Sequence, residues 1–204
     1  MYAKTTTWTI RHSLVKEAMV VTFFAALTAL GAQVAIRLPF SPVPVTLQVL
    51  MVVLTGLVLG SKRGLTSQLG YVAAGALGLP VFAGGSGGLA VLLGPTGGYL
   101  MAFPLAAFAA GLIREWLGNG GKFGAFVASC AGVALIYGVG ALWLATWLGM
   151  GGALSWADAF VSAWHLGVAP FILVDLVKAI LAAAAFGGGQ VLLSGLLGEV
   201  GMGE

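Results

Sequence analysis

The segment FGAFVASCAGVALIYGVGALWLATWL, Phe123–Leu148, runs for 26 residues without one Asp, Glu, Lys, Arg or His. About 20 apolar residues in a helix cross the hydrocarbon core of a bilayer, and a helix satisfies its backbone polar groups within its own segment. Reading outward, five more apolar segments appear: Met19–Ile36, Val45–Gly60, Gly64–Leu79, Gly98–Leu117 and Pro170–Leu193. Val45–Gly60 and Gly64–Leu79 reach only about 24 Å at the helical rise. They are expected to tilt into protein contacts or stop short of the membrane surface. The 204 residues are 60% hydrophobic and 7% charged, whereas a soluble domain carries about 25% charged residues. The expectation is an all-α integral membrane protein: one domain over residues 1–204 with six transmembrane helices, residues 1–16 forming a cytoplasmic N-terminal segment. Basic residues precede Met19–Ile36 as in a signal peptide, but the run is longer than a signal's apolar core and more spans follow.

The connections alternate in character. Ser61–Arg63 and Gly118–Lys122 are short and basic; Arg37–Pro44, Pro80–Gly97 and Gly149–Gly167 are longer and nearly free of Lys and Arg. With the N-terminus inside, Lys4, Arg11, Lys16, Lys62, Arg63, Arg114 and Lys122 are cytoplasmic and only Arg37 is outside. The positive-inside rule then puts both termini in the cytoplasm and three long loops outside. Scattered basic residues cannot track phosphates, so nucleic-acid binding is excluded. The single cysteine, Cys130, allows no internal disulfide. No zinc, Walker A or dinucleotide motif occurs, so no metal, no cofactor and no energy source is expected in the chain.

Asp175 and Lys178, in Phe171-Ile-Leu-Val-Asp-Leu-Val-Lys-Ala, are three apart and share a helix face. The reading sets them inside the last span, two to three turns beyond Pro170. Ionisable groups within a span are costly and mark function by default. Asp accepts hydrogen bonds and Lys donates them, so the pair suits a ligand bearing both N–H and C=O; a self-neutralising ion pair between helices is the alternative. The run Pro39-Phe-Ser-Pro-Val-Pro-Val-Thr-Leu-Gln48 predicts a rigid, extended outside segment, with Thr46 and Gln48 opening the second span. Ala83-Gly-Gly-Ser-Gly-Gly88 and Gly94-Pro-Thr-Gly-Gly-Tyr99 crowd glycine into the third connection, where backbone can approach a ligand closely. The interleaved Leu79, Val81, Phe82, Leu89, Val91 and Leu92 argue that this loop folds back onto something. Ala25-x-x-x-Ala29 has the spacing of close helix approach. Trp143, Trp147, Trp156 and Trp164 read as an aromatic belt at the outer interface.

A second class of function is on offer. Gly84-Gly85-Ser86-Gly87 matches the G-x-S-G of rhomboid intramembrane serine proteases, and His165 precedes the last span. Catalysis would need serine and histidine on helices within hydrogen-bond reach, whereas Ser86 falls in a glycine-dense loop.

From about Leu14 to Phe186 the chain resembles the BioY family, the biotin-specific S components of energy-coupling factor (ECF) transporters. The resemblance rests on Pro42-Val-Pro-Val-Thr-Leu-Gln48, on Gly78-Leu-Pro-Val-Phe-Ala-Gly-Gly85 with Gly94-Pro-Thr-Gly-Gly-Tyr99, and on Gly167-Val-Ala-Pro-Phe171 followed by Asp175 and Lys178. It implies a non-enzymatic vitamin-capture subunit in the cytoplasmic membrane of a prokaryote, binding biotin near the outer surface under the three outside loops. It also implies partners, a transmembrane T component and two ATP-hydrolysing subunits, with Ala25 and Ala29 on the docking face. Biotin has a ureido ring with two N–H groups and one C=O, an apolar thiophane ring and stem, and a carboxylate. Asp175 would accept a ureido N–H and Lys178 donate to the ureido oxygen. Tyr99, Phe82 and the backbone of Gly84 and Gly85 would enclose the apolar body, with Thr46, Gln48 or Thr96 at polar ends. Arg37 suits either the carboxylate or a membrane-interface anchor.

Overall fold

The computed structural model describes residues 3–118, 120–150 and 154–197, with side chains described from residue 14 to residue 194. Among the described residues, four stretches are long and apolar enough to cross a membrane: Leu14–Gln33, Gly97–Leu117, Gly121–Met150 and Trp156–Ser194. The first belongs to α1 (Ala3–Gln33), which starts well before the expected Met19 and takes in most of the N-terminal segment. The side chains of Lys4 and Arg11 lie outside the described residues. α1 also stops before Ile36, because Ala35–Ile36 (β1) pairs antiparallel with Val45–Thr46 (β2), Ala35 opposite Thr46 and Ile36 opposite Val45. The proline-rich segment is therefore the bend of a small ribbon, and its rigid φ angles suit that role.

The ribbon shortens the helix that follows. α2 (Gln48–Leu59) is 12 residues, roughly 18 Å, and α3 (Ser61–Ala76) is 16, roughly 24 Å. Of the six expected spans, these two fall short of spanning length. α2 compensates by being central, packing against α1, α3 and the later helices Gly97–Leu117, Gly121–Met150 and Ile172–Leu197. Close packing there depends on Gly56, where a Cβ would come within 2.2 Å of the Ala107 carbonyl oxygen. Gly60, at φ 79°, makes the reversal into α3.

After α3 the chain passes through a 3-10 turn (Ala83–Gly85) and a four-residue helix α4 (Leu89–Leu92) into α5 (Gly97–Leu117). α5 and α6 (Gly121–Met150) form the most extensive helix pair. The expected outside loop from Gly149 to Gly167 differs: from Trp156 to Gly167 it is a helix, α7, while residues 151–153 lie outside the described ones. Ser155 caps α7 by accepting from the Asp158 backbone N–H, and its hydroxyl donates to Asp158 Oδ2 at 2.7 Å. α7 turns Ala159, Ala163 and Gly167 to the bundle and exposes Trp156, Phe160 and Trp164. A second 3-10 turn (Ala169–Phe171) leads into α8 (Ile172–Leu197).

The two ends of the bundle differ in chemistry. At the basic end, Glu115 accepts from the Ser61 backbone N–H (2.7 Å) and from its hydroxyl (2.9 Å), an anion at the start of α3. Arg63 pairs with Glu17 at 2.8 Å, and the Arg114 guanidinium lies 4.9 Å over the Phe186 ring. The opposite end gathers the ribbon, the 83–97 segment and the α7–α8 junction.

Candidate functional site

These three segments close over a cavity of about 390 Å³, within the range of about 300–1,000 Å³ typical of small-molecule pockets. Asp175 and Lys178 lie in its lining with only 3% and 5% of their surface exposed. Lys178 Nζ donates to Asp175 Oδ1 at 2.6 Å, and the Tyr137 hydroxyl donates to Asp175 Oδ2 at 2.7 Å. Asp175 is in the first turn of α8, shallower than two to three turns, because it lies only five residues beyond Pro170, at about 3.6 residues per turn. Two charges so buried tolerate each other only as a pair; removing one strands the other in low dielectric.

The pair still has capacity for a guest. Each carboxylate oxygen has more than one lone pair and the ammonium has three donors, so one protein partner per atom leaves both able to bind. A neutral ligand carrying N–H beside C=O meets both needs without adding net charge.

The side wall is organised by a relay. The Thr46 hydroxyl donates to Gln48 Oε1 (2.9 Å), Gln48 Nε2 donates to the Tyr71 hydroxyl (2.6 Å), and that hydroxyl donates to the Val81 carbonyl (3.0 Å). Thr46, Gln48, Phe82, Thr96 and Tyr99 all line the cavity, as does Arg37. Phe82 is fully buried and meets Tyr71 edge-on at 5.6 Å, while Tyr71 stacks on Phe103 at 6.3 Å. The Tyr99 hydroxyl donates to the Gly167 carbonyl at 3.0 Å, fixing the ring against the end of α7.

Gly84 and Gly85 do not line the cavity; Ala83 and Ser86 do. The two glycines are exposed, at φ 65° and 75°, and serve the reversal that brings the Phe82 N–H to the Ser86 carbonyl at 2.9 Å. Their left-handed backbone is used by the turn itself, and it is the turn that sets Phe82 into the wall.

Ala25 and Ala29 are partly buried and pack against this chain's own core, so only part of each is free for a partner. Among the described side chains of α1, the small residues on its exposed side are Ala18, Thr22 and Ala26. Trp143 leaves the expected belt, since its indole N–H donates to the Gly94 carbonyl at 2.8 Å and ties α6 to the third connection. Trp147, Trp156 and Trp164 are exposed.

Sequence reasoning missed Tyr137, Tyr71 and Ser41. Tyr137 carried no local signal, lying inside the uncharged Phe123–Leu148 run. Ser41 stands within the proline cluster, and its hydroxyl donates to the Leu166 carbonyl at 2.6 Å across the mouth. Among the described residues no three His, Cys, Asp or Glu side chains gather as a metal site. The Ser86 hydroxyl donates to its own turn, to the Ala83 carbonyl at 2.9 Å, and His165 is exposed on α7.

A family model described as "BioY family" matches residues 3–193. The chain belongs to the BioY family. A relative in Pyrococcus horikoshii, described as a probable biotin transporter BioY, is 49% identical over 80% of this chain and 90% of its own length. The biotin transporter BioY of Rhodobacter capsulatus is 42% identical over 78% and 84%, and that of Thermotoga maritima 39% identical over 78% and 87%. A crystal structure at 2.1 Å of the S-component for biotin from an ECF-type ABC transporter superposes with a TM-score of 0.72. It is 29% identical, covering 86% of this chain and 90% of the other. This BioY chain is thus a multi-pass membrane protein of a transporter family and not an enzyme; nothing supports the protease reading.

Proposed function

We infer that this BioY chain captures biotin as the S component of an ECF-type transporter. The buried Asp175–Lys178 pair at the cavity lining carries the reading. It offers one acceptor and one donor on a shared helix face, which is what a ureido N–H beside a ureido C=O requires. Phe82, Tyr99 and Phe103 supply apolar surface for the thiophane ring and stem. Thr46 and Gln48 hold the wall through their relay, and Thr96 is a further polar contact. Arg37 is the lining cation that no carboxylate pairs with among the described residues, which suits the biotin carboxylate at the mouth.

The proposed orientation puts this cavity outside and both termini in the cytoplasm. Energy comes from partners: a T component and two ATP-hydrolysing subunits, meeting the face of α1 that carries Ala18, Thr22 and Ala26, with Ala25 and Ala29 at its edge. Equilibrium titration of the purified protein with labelled biotin tests the reading. Saturable, stoichiometric binding displaced by unlabelled biotin is expected; no saturable binding, or displacement by thiamine or riboflavin instead, overturns it.

A further inference from the structure

Tyr137 borders two hollows at once. Besides the ligand cavity it lines a second space of about 560 Å³ between α6, α7 and α8, walled by apolar side chains such as Val133, Leu176 and Ala179. Ile172, Leu176 and Trp164 are exposed, which puts this second hollow on the flank of the bundle where spanning helices meet lipid. Among the described residues only two line both spaces, Tyr137 and Asp175. Their 2.7 Å hydrogen bond is thus part of the wall between the ligand cavity and the flank.

That bond has a specific effect on Asp175. Lys178 holds one carboxylate oxygen at 2.6 Å and Tyr137 holds the other. Held at both oxygens, the carboxylate is restrained in one orientation, and the lone pairs not used by Lys178 and Tyr137 remain for a guest. Without the hydroxyl, Oδ2 would border an apolar hollow with no donor, a costly position for a charged oxygen. The carboxylate would swing to share Lys178 more fully, away from the ligand.

We propose that Tyr137 is a positioning residue for ligand recognition: its hydroxyl sets the Asp175 carboxylate for the ligand's N–H and closes the cavity against the bilayer. The proposal rests on the reading of Asp175 as the acceptor of a ureido N–H. A role limited to packing resides in the ring, which Tyr137→Phe retains.

The experiment titrates wild type, Tyr137→Phe, Asp175→Ala and the double variant with biotin and with a biotin whose two ureido nitrogens are methylated. Tyr137→Phe should weaken biotin about ten- to hundredfold, as expected for one lost hydrogen bond to a charged group. It should leave the methylated analogue unchanged and add nothing to Asp175→Ala. Wild-type affinity for biotin in Tyr137→Phe, equal losses for both ligands, or a full additional loss on Asp175→Ala would each overturn the proposal. If Asp175→Ala weakens biotin and Tyr137→Phe does not, positioning fails alone. If Asp175→Ala binds biotin like wild type, the recognition reading beneath it fails too.

Discussion

Ser41 and Leu166 are 125 residues apart in the chain, yet the Ser41 hydroxyl donates to the Leu166 carbonyl at 2.6 Å. The same hydroxyl accepts from the Val43 backbone N–H at 3.1 Å. Leu166 lies in the last turn of α7, where carbonyls have no partner within the helix, so the contact joins the bend of the β1–β2 ribbon to an otherwise unfilled acceptor. A neutral hydrogen bond contributes about 1 kcal/mol. Ser41→Ala should accordingly raise the biotin dissociation rate about fivefold, read by chasing bound label with excess unlabelled ligand. An unchanged rate would mean that the mouth opens elsewhere.

Asp175→Ala and Lys178→Ala each leave one buried charge uncompensated, at about 3–5 kcal/mol. That cost falls on stability; biotin affinity should fall about ten- to hundredfold through the lost hydrogen bond to a charged group. Asp175→Asn should be milder, because an amide oxygen still accepts a hydrogen bond. Titration of folded variants decides between recognition and a purely structural ion pair, for which biotin would bind the single variants as it binds wild type.

Two glycines of α3 separate packing from propensity. A Cβ on Gly75 would fall 2.0 Å from the Phe82 ring, whereas one on Gly70 meets nothing within 4 Å. Gly75→Ala should destabilise by about 1–3 kcal/mol through overpacking and weaken biotin by displacing Phe82 from the wall. Gly70→Ala should be neutral or gain up to about 1 kcal/mol. Unfolding midpoints in detergent, with and without biotin, measure both.

Orientation can be read with single cysteines in a Cys130→Ala background. Leu154 and Lys122 are both exposed and sit at opposite ends of α6 and its flanks. An impermeant maleimide added to intact cells should label Leu154→Cys and leave Lys122→Cys unreacted until the cells are opened. The reverse pattern would turn the cavity to the cytoplasm.

On α1, Ala26 is exposed while Ala29 packs against the core. Ala26→Trp should abolish co-purification of a T component and spare biotin binding, since a bulky residue blocks close helix approach. Ala29→Trp should damage both. Retention of the T component by Ala26→Trp would move the docking face to another helix.

The parts of the site legible in the sequence were those whose cost is local. Asp175 and Lys178 stand out because charges inside a span need a reason, and Pro42–Gln48 because prolines restrict the backbone whatever surrounds them. Tyr137 was hidden for the opposite reason: it is an ordinary aromatic on a lipid-facing helix until α8 brings Asp175 to its hydroxyl, 38 residues away. Glycine content reports backbone freedom and not the side to which a turn points, so it does not reveal that Gly84 and Gly85 lie outside the cavity lining. The helix α7 did carry a signal, Ser155-x-x-Asp158 before an apolar run, the form of a helix start. It was masked by the expectation that everything between two spans is loop. The shortness of α2 and α3 was visible, but that α2 would occupy the centre of the bundle depends on contacts no local pattern encodes.

The residues that line the cavity run in sequence from Ala35 to Lys178. No stretch that leaves the ribosome early contains a usable fraction of it: α1 through α5 without α8 provide a wall with neither Asp175 nor Lys178. With the ureido ring read by Asp175 and Lys178 as proposed, vitamin affinity is acquired late in biosynthesis, only when the last helix has joined its predecessors in the membrane. A chain stalled or truncated before that point has no ligand to stabilise it, and free vitamin in the medium can rescue only copies whose insertion is complete.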